Sequence, residues 1–325
     1  MTSFEKNLRR FESQLSSRNI KTANFKGLKD PKPDAIVICG MGGSGLAGDI
    51  IREHAAILKI PVPVVTLKND GLLPLPFKRP FYICISFSGN TEETIHCLTE
   101  ALKAKKKSGI AIVTGRGGTM RKIAEKKMLP AAYFDPGDLT PREASGMMYY
   151  GIASVLQAIF PAVAVRDLSR TIKAAQFSAR GISLAGKLKG KNILVYSDEA
   201  HAALGYIWKI SFNETGKNAA FWNTYSEINH NEIVGFENIK GPWFALWLTD
   251  PALERKNKDK IKFVAQKMKQ RGIESAMIPL EGKNDEEKFW NGVAFAWWTA
   301  LGLAKKNGVA PEETKIIDEL KKRFQ

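Results

Sequence analysis

The sequence predicts an α/β protein made of two doubly wound domains, each a mostly parallel sheet flanked by helices. Three observations point there. Apolar runs of strand length alternate with longer amphipathic segments of helical period, as in a parallel sheet covered on both faces. That rhythm runs through the first half and is repeated in the second, and 325 residues suit two domains of ordinary size. Turns rich in glycine and serine follow two strands of the first half, at the sheet edge where open α/β folds bind ligands. A boundary falls near Pro161 to Leu168, dividing the chain into domains 1–162 and 163–325.

In order, an amphipathic helix is expected from about Ser3 to Arg18, then a polar linker to Pro33. Ala35–Cys39 is a strand, followed by a glycine-rich loop and a helix to about Leu58. Val62–Leu67 is the second strand, and Phe81–Ile85 leads through a serine-rich turn into a helix ending near Lys107. Ile110–Val113 and Ala131–Phe134 are strands, and a helix from about Arg142 to Phe160 closes this half. The second half begins with a helix from about Leu168 to Leu188, followed by the strand Asn192–Tyr196 and a helix from about Ala200 to Phe212. Strands follow at Trp243–Leu248 and Ser275–Ile278, with helices over about Asn257–Gln270, Glu286–Lys305 and Pro311–Phe324. The aromatic tract from Phe289-Trp290 to Trp297-Trp298 is assigned to the core.

Composition narrows the function classes. No apolar run reaches the roughly 20 residues needed to cross a bilayer, and the N-terminus lacks the apolar centre of a secretory signal. Cys39, Cys84 and Cys97 are scattered without a C-x-x-C, which argues against a zinc site or a disulfide framework and for a reducing, cytoplasmic setting. The formal charge of +16 favours anionic ligands. Lys256, Lys258, Lys260 and Lys262 fall on a predicted helix without interleaved aromatics, so they read as a solvated face and not as a nucleic-acid groove.

Two strand-end turns carry the chemistry. Ser86-Phe87-Ser88-Gly89-Asn90-Thr91 places three hydroxyls and a glycine between a strand and a helix whose first turn holds Glu92 and Glu93. A helix N-terminus offers unpaired N–H groups and a partial positive charge, so these hydroxyls can surround a phosphate dianion without a metal. An ordinary N-cap role for Ser88 or Thr91 is the simpler alternative for any one of them. Gly40-Met41-Gly42-Gly43-Ser44-Gly45 matches G-x-G-x-x-G after the first strand, which makes a nicotinamide dehydrogenase a candidate. The acidic ribose partner expected at the end of the next strand is poorly supplied, because Asp70 follows Lys68 and Asn69 beyond Leu67. Two Gly- and Ser-rich loops on one edge favour one phosphate and a small sugar. Leu46 occupies the last position of a G-x-S-x-G elbow around Ser44, against a serine hydrolase.

These two motifs together resemble the signature of the sugar isomerase (SIS) domain. Thr140-Pro141-Arg142-Glu143-Ala144, Asn213-Glu214-Thr215, Ile228-Asn229-His230-Asn231-Glu232 and Ile317-Asp318-Glu319-Leu320-Lys321 further resemble the bifunctional phosphoglucose/phosphomannose isomerases of archaea and some bacteria. The likeness spans nearly the whole chain and implies two SIS-type domains. It implies that Gly43, Ser44, Ser86, Ser88 and Thr91 bind the substrate phosphate and that Arg142 stabilises the enediolate. Glu214 would be the base, and His230 and Lys321 would assist ring opening, the histidine reaching in from the partner subunit of a homodimer. Thr314 would stand where strict glucose-phosphate isomerases have glutamine, leaving room for the mannose epimer. Lys315 is the rival of Lys321. The flank of Arg142 departs from the usual Pro-Arg-Ala-Ala-Leu-Pro form at Glu143, Ser145 and Gly146.

The residue types suit the chemistry on their own terms. Aldose–ketose exchange needs one carboxylate to move a carbon-bound proton to the neighbouring carbon and a fixed cation beside the enediolate oxygens. No metal and no redox cofactor are called for. The expected function is therefore interconversion of glucose 6-phosphate, and also mannose 6-phosphate, with fructose 6-phosphate. Membrane and nucleic acid are not expected partners. The alternative is a non-catalytic regulator that binds a sugar phosphate on the same fold. His54, His96 and His201 show no metal-ligand spacing and are read as structural.

Overall fold

The structure, a computed structural model, describes residues 1–28, 31–105 and 107–324, and the side chains of all of these but 321 and 324. By contacts the chain divides into two compact units, Phe11–Arg170 and a second made of Met1–Arg10 with Thr171–Gln325. Helix α1 (Ser3–Leu8) is shorter than expected. Thr2 caps its start, and 3-10 turns at Phe11–Gln14 and Ser17–Asn19 replace the rest of the expected helix, the second capped by Ser16. Read from sequence with the first domain, α1 instead sits in the second unit. Phe4 meets the Trp297 ring edge-on at 6.4 Å and Lys305 reaches Glu5 at 2.7 Å.

The first unit is a six-stranded sheet. Its strands are β1 (Ile20–Ala23), β2 (Ala35–Cys39), β3 (Val64–Leu67), β4 (Pro80–Ser86), β5 (Gly109–Thr114) and β6 (Ala131–Phe134), in the order β1-β6-β5-β4-β2-β3. All neighbours are parallel except β1, which pairs antiparallel with β6 at the edge. Strand β1 lies where a linker was expected. Its Ile-Lys-Thr-Ala has only partly buried ends, too weak a pattern to read before β6 is there to pair with it. Strands β2 and β4 are buried along their whole length, the continuous apolar pattern of a covered parallel sheet. Helices α2 (Gly42–Glu53), α3 (Glu92–Lys103), α4 (Gly118–Lys127) and α5 (Ser145–Ile159) cover it. Helix α5 begins at Ser145 and not at Arg142. Buried Glu143 instead accepts bonds from the N–H (2.9 Å) and hydroxyl (2.6 Å) of Thr140 and closes a turn ahead of the helix.

The second unit continues with α6 (Ser178–Leu188), β7 (Asn192–Ser197), α7 (Ala202–Glu214), β8 (Ala220–Thr224), α8 (Tyr225–Ile228), α9 (Glu232–Gly235) and β9 (Trp243–Thr249). It ends with α10 (Arg255–Gln270), β10 (Glu274–Pro279), α11 (Asp285–Asn307) and α12 (Lys315–Phe324). The sheet is four parallel strands in the order β10-β9-β7-β8. Helix α11 packs against α6 and α7. Phe289, Trp290, Trp297 and Trp298 are all buried, as expected, and each such ring contributes roughly 1.5–3 kcal/mol. The Trp298 indole N–H is satisfied by the Ala174 carbonyl at 2.7 Å. Both units are thus α/β with mostly parallel sheets flanked by helices.

Candidate active site

In the first unit, β2 and β4 are adjacent and parallel, with Cys39 opposite Cys84. The chain leaves β2 toward β3 on one side and leaves β4 toward β5 on the other. Their carboxyl ends therefore flank the point where the strand order reverses, the crevice in which open α/β sheets hold ligands.

The serine-rich turn occupies that crevice. Ser86, the fully buried last residue of β4, places its hydroxyl oxygen 2.8 Å from that of Thr91 and 3.5 Å from that of Ser88. It also accepts the Gly89 N–H at 3.0 Å, while Ser88 accepts that of Asn90 at 3.1 Å. Thr91 stands at the N-cap position of α3, yet its side chain makes no capping bond. The simple capping alternative is therefore not what Thr91 does, and the first turn of α3 keeps its N–H groups for another acceptor. Gly89 has φ +72°, and a Cβ there would stand 1.8 Å from the Gly117 carbonyl oxygen. Only glycine fits both the conformation and the space.

Ser44 lies in the first turn of α2, buried, and accepts the Phe87 N–H at 3.0 Å, tying the glycine-rich loop to the serine-rich turn. A Cβ at Gly43 would meet the Pro141 carbonyl oxygen at 2.9 Å and the Arg142 nitrogen at 3.5 Å, so the turn bearing Arg142 abuts the same loop. Gly43, Ser44, Ser86, Ser88, Thr91 and the backbone of Arg142 are thus gathered at one sheet edge. Sequence reasoning missed the support beneath them. Asn90 Oδ1 accepts from the Thr119 N–H (2.9 Å) and hydroxyl (3.1 Å), and the Met120 N–H donates to the Gly89 carbonyl at 2.9 Å. The Arg116 guanidinium lies over the Phe87 ring at 5.6 Å. Its signal was a third glycine-rich strand end, Gly115-Arg116-Gly117-Gly118.

The dinucleotide alternative loses its acidic partner, because Asp70 lies past the end of β3 and contacts His96 Nδ1 at 2.9 Å. His54 faces the Tyr149 hydroxyl at 3.4 Å and His201 faces Asp198 at 2.6 Å. Among the described residues, no group of three or more His, Cys, Asp and Glu side chains is arranged to hold a metal ion.

In the second unit, Glu214 is the half-buried last residue of α7. It lines a cavity of about 620 Å³ together with Asn213, Gly308, Thr314, Lys315 and Ile317. Asn213 is fixed by donating to the Asn218 carbonyl at 2.9 Å. The chain around Thr314 is not the helix expected from Pro311. Glu312 instead accepts the Ser3 hydroxyl and the Phe4 N–H, each at 2.9 Å, and α12 starts only at Lys315. Lys315 contacts Glu313 at 3.0 Å. Lys321 is on α12, but its side chain lies outside the described residues. His230 is exposed in the turn between α8 and α9 and is not part of the Glu214 cavity wall.

Residues 177–324 match the model of the bacterial phospho-glucose isomerase C-terminal SIS domain. The bifunctional phosphoglucose/phosphomannose isomerase of Thermoplasma volcanium is 28% identical over 97% of this chain and 99% of its own, and that of Aquifex aeolicus is 26% identical over 91% and 92%. In fold, the chain is similar to the tagatose-6-phosphate ketose/aldose isomerase of Escherichia coli, with a TM-score of 0.66 at 14% identity over 96% of each chain. Over nearly its whole length the chain is thus similar to bifunctional phosphoglucose/phosphomannose isomerases, and its residues 177–324 are similar to a bacterial phospho-glucose isomerase C-terminal SIS domain.

Proposed function

We propose that this protein is an aldose–ketose isomerase that interconverts glucose 6-phosphate, and also mannose 6-phosphate, with fructose 6-phosphate. The observation that carries the reading is the hydroxyl knot of Ser86, Ser88 and Thr91 at an uncapped helix N-terminus, built to receive a phosphate. The names of the relatives found by sequence support the choice of sugar phosphates.

In this reading Gly43, Ser44, Ser86, Ser88 and Thr91 hold the substrate phosphate, with Ser44 also keeping the two loops together. Glu214 takes the proton from C2 as the C2–H electron pair forms the C1–C2 double bond and the aldehyde oxygen becomes anionic. The Arg142 guanidinium offsets that charge, an effect worth roughly 10²–10³-fold in rate when such a group is removed. The O2 hydroxyl proton then passes to the anionic O1, the C2–O2 electron pair forms the ketone carbonyl as the C1–C2 double bond takes up the proton Glu214 returns to C1, and the carboxylate is regenerated. His230 and Lys321 serve ring opening, and Thr314 leaves room for the mannose configuration. We place His230 in the site of a second copy of the chain, so the working form is a homodimer. Its exposure and its absence from the cavity wall of its own Glu214 support that assignment. Three free, buried cysteines suit a reducing cytoplasm.

The test is direct. Purified protein is given each aldose phosphate in a coupled assay, and fructose 6-phosphate is incubated in deuterated water. Turnover of both aldoses with deuterium incorporated next to the carbonyl is the expected result. Binding of the sugar phosphate without exchange would instead identify the non-catalytic regulator.

A further inference from the structure

We propose that Glu232 is a positioning residue that sets the orientation of His230, a role that rests on the ring-opening function given to His230 above. The turn Asn229-His230-Asn231 joins α8 and α9, each only four residues long. Helices this short do not hold their own shape, so the geometry of the turn must be imposed from outside.

On the α8 side the His230 N–H donates to the Glu227 carbonyl at 3.1 Å, and the Asn231 side-chain amide donates to the Glu227 carboxylate. On the α9 side the anchor is Glu232, whose two carboxylate oxygens are taken separately. Oε1 accepts the Tyr196 hydroxyl at 2.6 Å and Oε2 accepts the Asn223 side-chain amide at 2.8 Å. Tyr196 and Asn223 are directly opposite each other on the parallel strands β7 and β8. The sheet therefore presents two donors side by side, one per oxygen, and a carboxylate held at both oxygens is fixed in orientation as well as place.

The donors are dependable. Tyr196 is 1% exposed, and burial, reinforced by the Glu232 charge, pushes its hydroxyl well above the ordinary tyrosine range. It stays protonated and keeps donating. A half-buried glutamate gripped this way, two residues after an exposed histidine, transmits the rigidity of the sheet to the turn. A displacement of about 1 Å in a reacting group costs up to roughly a hundredfold in rate, which is the leverage such an anchor has.

The experiment compares Glu232→Ala, Glu232→Gln, His230→Ala and the double alanine variant in the full-length protein, each assayed on glucose 6-phosphate. Expected is a fall in kcat of roughly tenfold to a hundredfold for Glu232→Ala, with KM within about threefold of the parent and a thermal midpoint within a few degrees. Glu232→Gln, which keeps one acceptor and the side-chain length, recovers much of the loss. The double variant is no slower than His230→Ala alone, because an anchor has nothing left to position once the imidazole is gone. Parental kcat in Glu232→Ala beside an impaired His230→Ala overturns the positioning role. So does a double variant in which the two losses multiply, which would mark Glu232 as a general structural support. An unimpaired His230→Ala overturns the ring-opening assignment itself, and with it this proposal, and is told apart by that variant alone.

Discussion

The hydroxyl oxygens of Ser86 and Thr91 lie 2.8 Å apart across the turn from β4 into α3. Thr91 holds the capping position and leaves the helix uncapped, while Ser86 is fully buried and bonded to the Gly89 N–H. The turn thus spends its hydroxyls on one another and not on the helix end, and the N–H groups of α3 stay available to a bound anion.

Removing either hydroxyl should therefore weaken the grip on phosphate specifically. Thr91→Val is expected to raise the Kd for glucose 6-phosphate about 10-fold to 150-fold, the range of a hydrogen bond to a charged group, and Ser86→Ala to weaken binding by releasing the Thr91 hydroxyl and the Gly89 N–H that it holds. Inorganic phosphate weakened in parallel, measured by calorimetry, would confirm that the lost contact is to the phosphate and not to the sugar.

Glu214→Gln keeps the size of the side chain and removes its basicity. Turnover and deuterium exchange into fructose 6-phosphate should fall by roughly 10²–10⁴-fold or more, while the Kd for the sugar phosphate changes by less than about threefold. Exchange at the parental rate would remove Glu214 from the role of base.

Gly89→Ala tests the backbone. The residue has φ +72° and its new methyl would collide with the Gly117 carbonyl, so a loss of at least about 2 kcal/mol is expected in denaturant unfolding, together with weakened phosphate binding. Gly137→Ala is the control. Its φ is +52° but no atom lies within 4 Å of the added methyl, and it should cost only the conformational term of about 1–2 kcal/mol.

The tie between α1 and α11 should be visible in the acid dependence of stability. The hydrogen bond from Lys305, ahead of the opposing cost of burial, holds the Glu5 carboxyl below its ordinary value of 4.5. Its unfolded form takes up a proton more readily than its folded form. The stabilisation is thus complete above about pH 4.5 and fades as pH falls through the lowered folded value. Glu5→Gln should flatten the acid limb of a pH series of thermal midpoints. At neutral pH it should lower the midpoint by about 2–4 °C, the equivalent of about 1 kcal/mol.

Thr314→Gln should lower mannose 6-phosphate turnover relative to glucose 6-phosphate, since the longer amide would fill the cavity that Thr314 and Glu214 share. An unchanged ratio of the two activities would show that this wall does not select the epimer.

The buried strands and two glycine- and serine-rich strand ends, at Gly40–Gly45 and Ser86–Thr91, were legible in the sequence because their signals are local. A covered parallel strand is apolar throughout, as in Phe81–Ile85, and a phosphate-binding turn needs small hydroxyl residues beside the helix that follows. Tertiary structure decided what depends on distant partners. Ile20–Ala23 becomes a strand only because β6 offers an edge, and Ser3 and Phe4 hold Glu312 so that α12 starts late and Thr314 faces a cavity. Glu143 turns the chain ahead of α5, Thr91 bonds across to Ser86 in place of its own helix, and Glu232 finds Tyr196 and Asn223 on neighbouring strands. Local propensity and spacing specify which residues a turn or strand contains. Only packing brings side chains hundreds of residues apart within hydrogen-bond distance, where it settles which donor each acceptor meets.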